Sequence, residues 1–198
     1  MLAKCTVPFL QEEFAHSYAR AARMLGGTSL QLDSNEVHAL SSSGLPLFQG
    51  RALHELGRTV LLLCAVECLA PGEQAEFIDD LYARGDNAER EALLHTLSLL
   101  PEPDRFLSTA VEACRSNVQT VFEAIACENP YPVRHFQELS FNQMVMKAIF
   151  IGVPLPRIVG LLTRVAPALV RMAKDYAQER MAAGRPVPDD IQLITSGG

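Results

Sequence analysis

Residues 122–143, FEAIACENPYPVRHFQELSFNQ, hold the densest group of chemically versatile side chains in this 198-residue chain. Within the stretch lie a thiol, two carboxylates, an imidazole and a phenol, contributed by Cys127, Glu123, Glu128, His135 and Tyr131. A carboxylate and an imidazole held close together could act as general base and general acid on a bound substrate. The same residues also fit a helix end, a rigid turn and a helix start. A ligand pocket and a mutually satisfied polar network are both open interpretations.

Polar residues continue on both sides of this stretch, and its two prolines stiffen the turn because residues before proline avoid the helical region. The candidate ligand-binding set is Glu112, Arg115, Asn117, Glu123, Glu128, Asn129, Tyr131, His135 and Asn142. In an enzyme, Glu128 or Glu123 would be the base and His135 the acid, and Arg115 would bind an anionic group. No catalytic residue is assigned beyond this hypothesis.

The other reactive side chains favour structural roles. Cys64 and Cys68 are four residues apart on one helical face, but a structural zinc site needs four ligands and no second pair follows. Among leucines and alanines, both thiols are expected to be buried. Cys127 ends a predicted helix, where the helix dipole disfavours a thiolate. The five histidines are dispersed, and phosphate-binding loops, dinucleotide fingerprints and serine elbows are absent. We expect no metal and no cofactor.

A second polar cluster, YARGDNAEREALL at residues 82–94, reads mainly as a corner between two helices. Gly85 is expected in a left-handed conformation, and Asp86 or Asn87 is expected to cap the next helix. Arg84 and Arg90 could take part in a salt bridge with a carboxylate at the corner.

Composition excludes several partners. The formal charge is −6 and the 17 basic residues are scattered, which disfavours nucleic acid and anionic membranes. The strongly apolar run at residues 59–66 is far short of the roughly 20 residues of a membrane span. The apolar stretch among the first residues is too short for the core of a signal peptide. Five cysteines at irregular spacing agree with free thiols, so we expect a cytoplasmic protein.

Hydrophobic periodicity is helical along nearly the whole chain, which predicts an all-α fold. A first helix should bury Phe9, Phe14, Tyr18, Ala21 and Leu25, and residues 52–70 should form a helix buried on nearly every side. Short helices joined by short loops pack as antiparallel hairpins, which predicts stacked helical hairpins in a HEAT-like or armadillo-like superhelix. A compact irregular helical bundle is the alternative.

The predicted organisation has three parts. Residues 1–50 form an N-terminal helical segment and linker, and residues 51–185 form the helical-hairpin core. Residues 186–198 form an extended C-terminal tail.

Four segments resemble the EboA family: RGDN–ER–ALL, AVEACR–N, FEAIACENPYP–HF and FNQM–KA–F–GVPL–RI. The resemblance covers roughly residues 50–195. It implies a bacterial gene cluster of secondary metabolism, which also encodes a prenyltransferase, TIM-barrel-like metal enzymes and a dehydroquinate-synthase-like protein. Such clusters are associated with making or moving a metabolite precursor towards the periplasm. The family brings no assigned reaction and no catalytic residues.

Two functions are therefore carried forward. The favoured one is a non-catalytic helical binding or adaptor protein for a secondary metabolite or for the cluster's enzymes. The alternative is a cofactor-free isomerase or lyase acting on a cyclic metabolite through Glu and His acid–base chemistry.

Overall fold

The computed structural model describes residues 10–29, 31–42 and 50–196, without the side chains of residues 39–42. In this part of the chain all regular secondary structure is helical, and the only β-type pairing is an isolated antiparallel bridge between Ser29 and Ala52. The prediction of an all-α fold is confirmed. The superhelical arrangement stays a prediction. None of the described helices is long and apolar enough to cross a membrane.

The described residues form eleven α-helices and five 3₁₀ turns. The α-helices are α1 Gln11–Leu25, α2 Ser34–Ser42, α3 Leu53–Cys68, α4 Gln74–Arg84, α5 Asn87–Thr96, α6 Leu107–Ala113, α7 Gln119–Ala126, α8 Tyr131–His135, α9 Glu138–Ile151, α10 Pro167–Ala182 and α11 Gln192–Thr195. The 3₁₀ turns are Leu97–Leu99, Pro103–Phe106, Leu155–Arg157, Leu161–Arg164 and Asp189–Ile191.

The chain divides into two compact units, an N-terminal unit of residues 1–109 and a C-terminal unit of residues 110–198. The boundaries proposed from the sequence at residues 50 and 185 remain predictions. In the N-terminal unit, α3 packs against both α1 and α5.

The first helix follows its predicted apolar stripe in part. Phe14, Tyr18 and Ala21 are buried because they recur on one helical face, whereas Leu25 at the end of the helix is exposed. Phe9 lies outside the described residues. α1 ends at Gly26, whose φ of 73° is accessible to glycine at little cost.

α3 is not buried on nearly every side, as its apolar sequence had predicted. One face buries Arg58, Leu62 and Val66, whereas Val60 and Cys64 are exposed. A helix has more surface than two neighbouring helices cover, so apolar residues at the remaining angles stay in contact with solvent. The expectation of a buried Cys64 is therefore wrong.

The corner between α4 and α5 confirms one capping prediction and corrects another. Asp86 accepts a hydrogen bond from the Glu89 N–H at 2.8 Å, and the Glu89 carboxylate accepts one from the Asp86 N–H at 3.0 Å. This reciprocal capping box starts α5. Gly85 has a φ of −63° and is not left-handed, because an extended residue is enough to leave α4 and enter the cap.

The two arginines of this corner bind other groups. Arg84 pairs with Asp80 one turn earlier in α4, at 2.7 Å. Arg90 donates to the backbone oxygens of Tyr82 and Ala83, each at 2.9 Å. Arg90 thereby satisfies carbonyl groups that a helix C-terminus leaves without partners.

In the C-terminal unit, α9 packs against α7 and α10. Its buried face includes Phe141, Val145 and Ala148, spaced three or four residues apart as helical geometry requires.

The end of the chain is helical rather than extended over residues 189–195. Ile191 and Ile194 are buried there, so this segment contributes apolar contacts to the C-terminal unit. The Asp190 carboxylate also accepts a hydrogen bond from the Leu155 N–H at 2.7 Å, which holds the segment against the turn after α9.

Candidate functional site

The two carboxylates of the predicted site converge on a guanidinium that the candidate set did not include, that of Arg157. Nε and Nη2 of Arg157 donate to the two carboxylate oxygens of Glu128 at 2.8 and 3.0 Å. Nη1 donates to Glu123 at 2.5 Å. A bidentate pair of this kind is stronger and more directional than a single ionic contact. Both candidate bases are therefore held by one cation.

Backbone geometry reinforces this pairing. Glu128 follows the end of α7 with a φ of 49°, in the left-handed region that non-glycine residues seldom adopt. Its N–H donates to the backbone oxygen of Arg157 at 2.8 Å, so main chain and side chain bind the same residue. Hydrogen bonds from Arg157 and Gln119 lower the pKa of Glu123. A general base works best with a pKa near 7, so Glu123 is poorly suited to that role.

The Asn-Pro-Tyr-Pro corner is a structural element. The Asn129 amide donates to the Ala124 backbone oxygen at 2.9 Å, and its oxygen accepts from the Tyr131 N–H at 3.0 Å. Asn129 and Tyr131 are both buried. The Tyr131 ring lies 4.7 Å from the His135 ring and 6.2 Å from the Phe136 ring, measured between centroids. The two candidate residues of this corner thus serve the turn and its packing.

Two further polar groups are enclosed by the fold. Burial raises the pKa of the Cys127 thiol to about 11, so it is protonated at neutral pH. Asn142 lies on the buried face of α9, and its side-chain oxygen has no hydrogen-bond partner among the described residues.

A cavity of about 330 Å³, the basic cavity, lies in the C-terminal unit. It is lined by Val111, Cys114, Arg115, Phe136, Ser140, Gln143, Met144 and Lys147. Four of these residues come from one face of α9, since positions 140, 143, 144 and 147 are neighbours on a helix surface. Three come from the end of α6 and the residues that follow it. Arg115 is the member of the predicted set that lines this cavity.

The two cations of the basic cavity are held differently. The Lys147 ammonium donates to the backbone oxygens of Cys114 and Ser116, each at 2.7 Å, and lies 4.9 Å from the centre of the Phe122 ring. Lys147 therefore neutralises the carbonyl end of α6. Arg115 is 70% exposed and pairs with Glu112 at 3.0 Å. An exposed pair contributes little stability, so Arg115 can exchange its partner at small cost.

The remaining predicted residues do not line the basic cavity. Glu112 lies at the surface as the partner of Arg115, and Asn117 is exposed in the loop before α7. The basic cavity is lined by Arg115 but not by Glu128 or His135. Burial raises the pKa of Cys114 to about 12, so its thiol is not a nucleophile at neutral pH.

The sequence contained a signal for one of the two missed residues. Lys147 is the single charged residue in MVMKAIF, an otherwise apolar run, and such a charge in a buried helix requires a partner. Arg157 gave no comparable signal, because its partners Glu123 and Glu128 are 34 and 29 residues away in the chain.

No group of three or more His, Cys, Asp or Glu side chains in the described part of the chain is placed to hold a metal ion.

Comparison with known protein families gives a match. The family model described as "Metabolite traffic protein EboA" matches residues 6–195, nearly the whole chain. No curated protein and no solved structure matches. The chain belongs to the EboA family.

Proposed function

We propose that this protein is a non-catalytic metabolite-binding protein, and that its basic cavity holds a small molecule with an apolar body and an anionic group. The observation that carries the proposal is the lining, in which Val111, Phe136 and Met144 adjoin the cations Arg115 and Lys147. Ligand pockets typically combine an apolar wall with few polar groups, and about 330 Å³ suits a small ligand. The family's description as a metabolite traffic protein agrees with holding a ligand unchanged.

The arrangement of reactive groups supports binding over catalysis. Glu123 and Glu128 are bound by Arg157, and the pKa values of Cys114 and Cys127 are raised by burial. An isomerase or lyase would need a base and an acid at a common cavity. In the basic cavity the ionisable lining groups are a guanidinium, an ammonium and a neutral thiol, which suit anion recognition.

The test uses two probes of matched shape, 3-phenylpropionate and phenethylamine, followed by amide NMR titration. We expect 3-phenylpropionate to shift the amides of Val111, Gln143 and Met144, and phenethylamine to leave them unchanged. The substitution Arg115→Gln should weaken the binding of 3-phenylpropionate about threefold, which is the effect of losing an exposed ion pair. Arg171→Gln, an exposed arginine on α10, is the matched control and should have no effect. Equal responses to both probes would contradict the proposal.

A second candidate, the adaptor role for enzymes of the same gene cluster, is favoured by an apolar stripe on α9. Leu139 and Phe150 are 66% and 75% exposed, and Met146 between them is partly exposed. These positions share one face of the helix, next to the face that lines the basic cavity. Contiguous exposed apolar side chains mark protein-binding surfaces.

The adaptor role is tested by co-expression with each cluster enzyme. The double variant Leu139→Ser, Phe150→Ser should lose co-purification, whereas Leu162→Ser, at a leucine 66% exposed outside α9, should keep it. Co-purification that survives the double variant would exclude this surface.

A further inference from the structure

We propose a second ligand site in the N-terminal unit, a cavity of about 410 Å³ that binds a small amine with an apolar or aromatic body. This acidic cavity is lined by Gln11, Glu12, Phe14, Ala15, Tyr18, Phe77, Asp80, Leu81, Arg84, Gly85 and Glu89. The residues belong to α1, to α4 and to the corner that starts α5. The inference is independent of the basic cavity and of its ligand.

Aromatic rings form one wall of the acidic cavity. Phe14 stacks on Tyr18 with ring centroids 5.5 Å apart, and meets Phe77 edge to face at 5.2 Å. Aromatic faces attract ammonium groups through their quadrupole, and the rings offer apolar contact to the body of a ligand. Aromatic side chains have few rotatable bonds, so little conformational entropy is lost when this wall binds a ligand.

A buried arginine fixes this wall from behind. Arg58 is 2% exposed; its Nε donates to the Tyr18 backbone oxygen at 3.1 Å, and its Nη2 lies 3.8 Å from the Glu89 carboxylate. The Tyr18 hydroxyl donates to the Glu89 backbone oxygen at 2.8 Å. Because Arg58 is itself enclosed, it compensates Glu89 and holds Tyr18 in place without facing the ligand.

The net negative charge of its lining makes the acidic cavity selective for cations. Asp80 is paired with Arg84, an arginine that is largely exposed, at 2.7 Å. With Arg58 compensating Glu89 and Arg84 compensating Asp80, Glu12 supplies the excess negative charge. The cavity size falls within the usual range for small-molecule pockets.

The negative potential extends along α4. A more open hollow of about 890 Å³ shares four lining residues with the acidic cavity, Gln11, Phe77, Asp80 and Arg84. It adds the carboxylates of Glu73, Glu76 and Asp79. Clefts lined by one sign of charge raise the local concentration of the opposite ion, so this surface should guide an amine towards the aromatic wall.

The same matched probes test the site in the 198-residue chain, with opposite expectations. Phenethylamine should shift the amides of Ala15, Leu81 and Gly85, and 3-phenylpropionate should leave these three unchanged. Glu12→Gln should weaken the binding of phenethylamine about threefold, as expected for the loss of one exposed charge. Glu13→Gln is the matched control, since Glu13 is the next residue, is also exposed, and does not line the cavity.

Three results would overturn the proposal: no shift at these amides, an equal response to the carboxylate probe, or equal affinities in the Glu12→Gln and Glu13→Gln variants. Glu12 and Glu13 are both exposed, so neither variant should perturb folding.

Discussion

The acidic cavity of the N-terminal unit is lined by the carboxylates of Glu12, Asp80 and Glu89 with Arg84 beside them, whereas the basic cavity of the C-terminal unit is lined by Arg115 and Lys147. Each unit nevertheless places a cation behind or beside its cavity for structural purposes. Arg58 binds the Tyr18 carbonyl in one unit, and Lys147 binds two carbonyls at the end of α6 in the other.

The difference between the cavities teaches that enclosed charges build the walls and exposed charges select the ligand. A buried cation is held in place by the groups packed around it, so it cannot turn towards a ligand as an exposed one can. An exposed charge such as Glu12 or Arg115 costs little to redirect. Breaking each kind of charge should therefore have different consequences.

The largest effect is expected for Arg58→Met. It should lower the free energy of unfolding by about 3 kcal/mol, because it leaves Glu89 and the Tyr18 carbonyl without their buried cation. Urea unfolding measures the change, and Arg84→Met, at an exposed arginine of the same cavity, should stay within about 0.5 kcal/mol. A loss no larger at position 58 than at position 84 would show that the buried guanidinium does not stabilise the wall.

Lys147→Met should lower the free energy of unfolding by about 2 kcal/mol, through loss of two charge-assisted hydrogen bonds at a helix end. The loss should be smaller than at Arg58 because Lys147 is only partly buried. Lys174→Met, at an exposed lysine on α10, serves as the control in the same urea experiment. An unchanged stability in Lys147→Met would show that its two hydrogen bonds contribute no net stability.

Acid should destabilise the N-terminal unit before the C-terminal unit, because the N-terminal unit contains a buried histidine. Burial lowers the pKa of His95, which lies 2.8 Å from an Arg51 nitrogen. Burial opposes ionisation of Glu55 too, but contact with His95 and the charge of Arg51 outweigh it and lower the Glu55 pKa to about 2.

For both groups the pKa in the folded state lies below the pKa in the unfolded state. Their contribution to stability is therefore fully present above the unfolded pKa and is lost as the pH falls towards the folded pKa. The loss should begin below about pH 6.5 for His95 and below about pH 4.5 for Glu55. In the C-terminal unit, the pKa of Glu123 is lowered, and its contribution to stability is lost only in the acidic range where carboxylates become protonated. Amide hydrogen exchange at pH 7, 5.5 and 4 should show the N-terminal unit opening first. Earlier opening of the C-terminal unit would contradict this order.

The smallest effect concerns the two glutamates with left-handed backbones, Glu102 in the N-terminal unit and Glu128 in the C-terminal unit. Glycine removes a left-handed cost of about 1 kcal/mol. Glu102→Gly should be neutral or slightly stabilising, since the Glu102 carboxylate is 68% exposed and its pair with Arg105 contributes little. Glu128→Gly should be destabilising, because it breaks the bidentate pair with Arg157. Thermal unfolding of both variants measures the contrast, and equal shifts would show that the Arg157 cluster contributes no stability.

Several features of the site were accessible from local sequence. Asp86 caps α5 through Glu89 three residues later, and Phe14 and Tyr18 are buried one turn apart, because capping and helical periodicity act over a few residues. Arg115 was identified as a ligand-binding candidate because it is a charged residue among helices rich in apolar side chains. Its place at a cavity was not predictable from that pattern.

Helix type and helix ends follow from interactions within about one turn, which adjacent residues specify directly. The tertiary structure decided the rest: Glu123 and Glu128 are bound by Arg157, and Asn129 and Tyr131 are buried in the corner they form. Whether a polar side chain binds a ligand or another residue depends on partners brought together from distant positions. Such partners leave no periodic signal in the chain, so the folded packing alone determines which charges face a ligand.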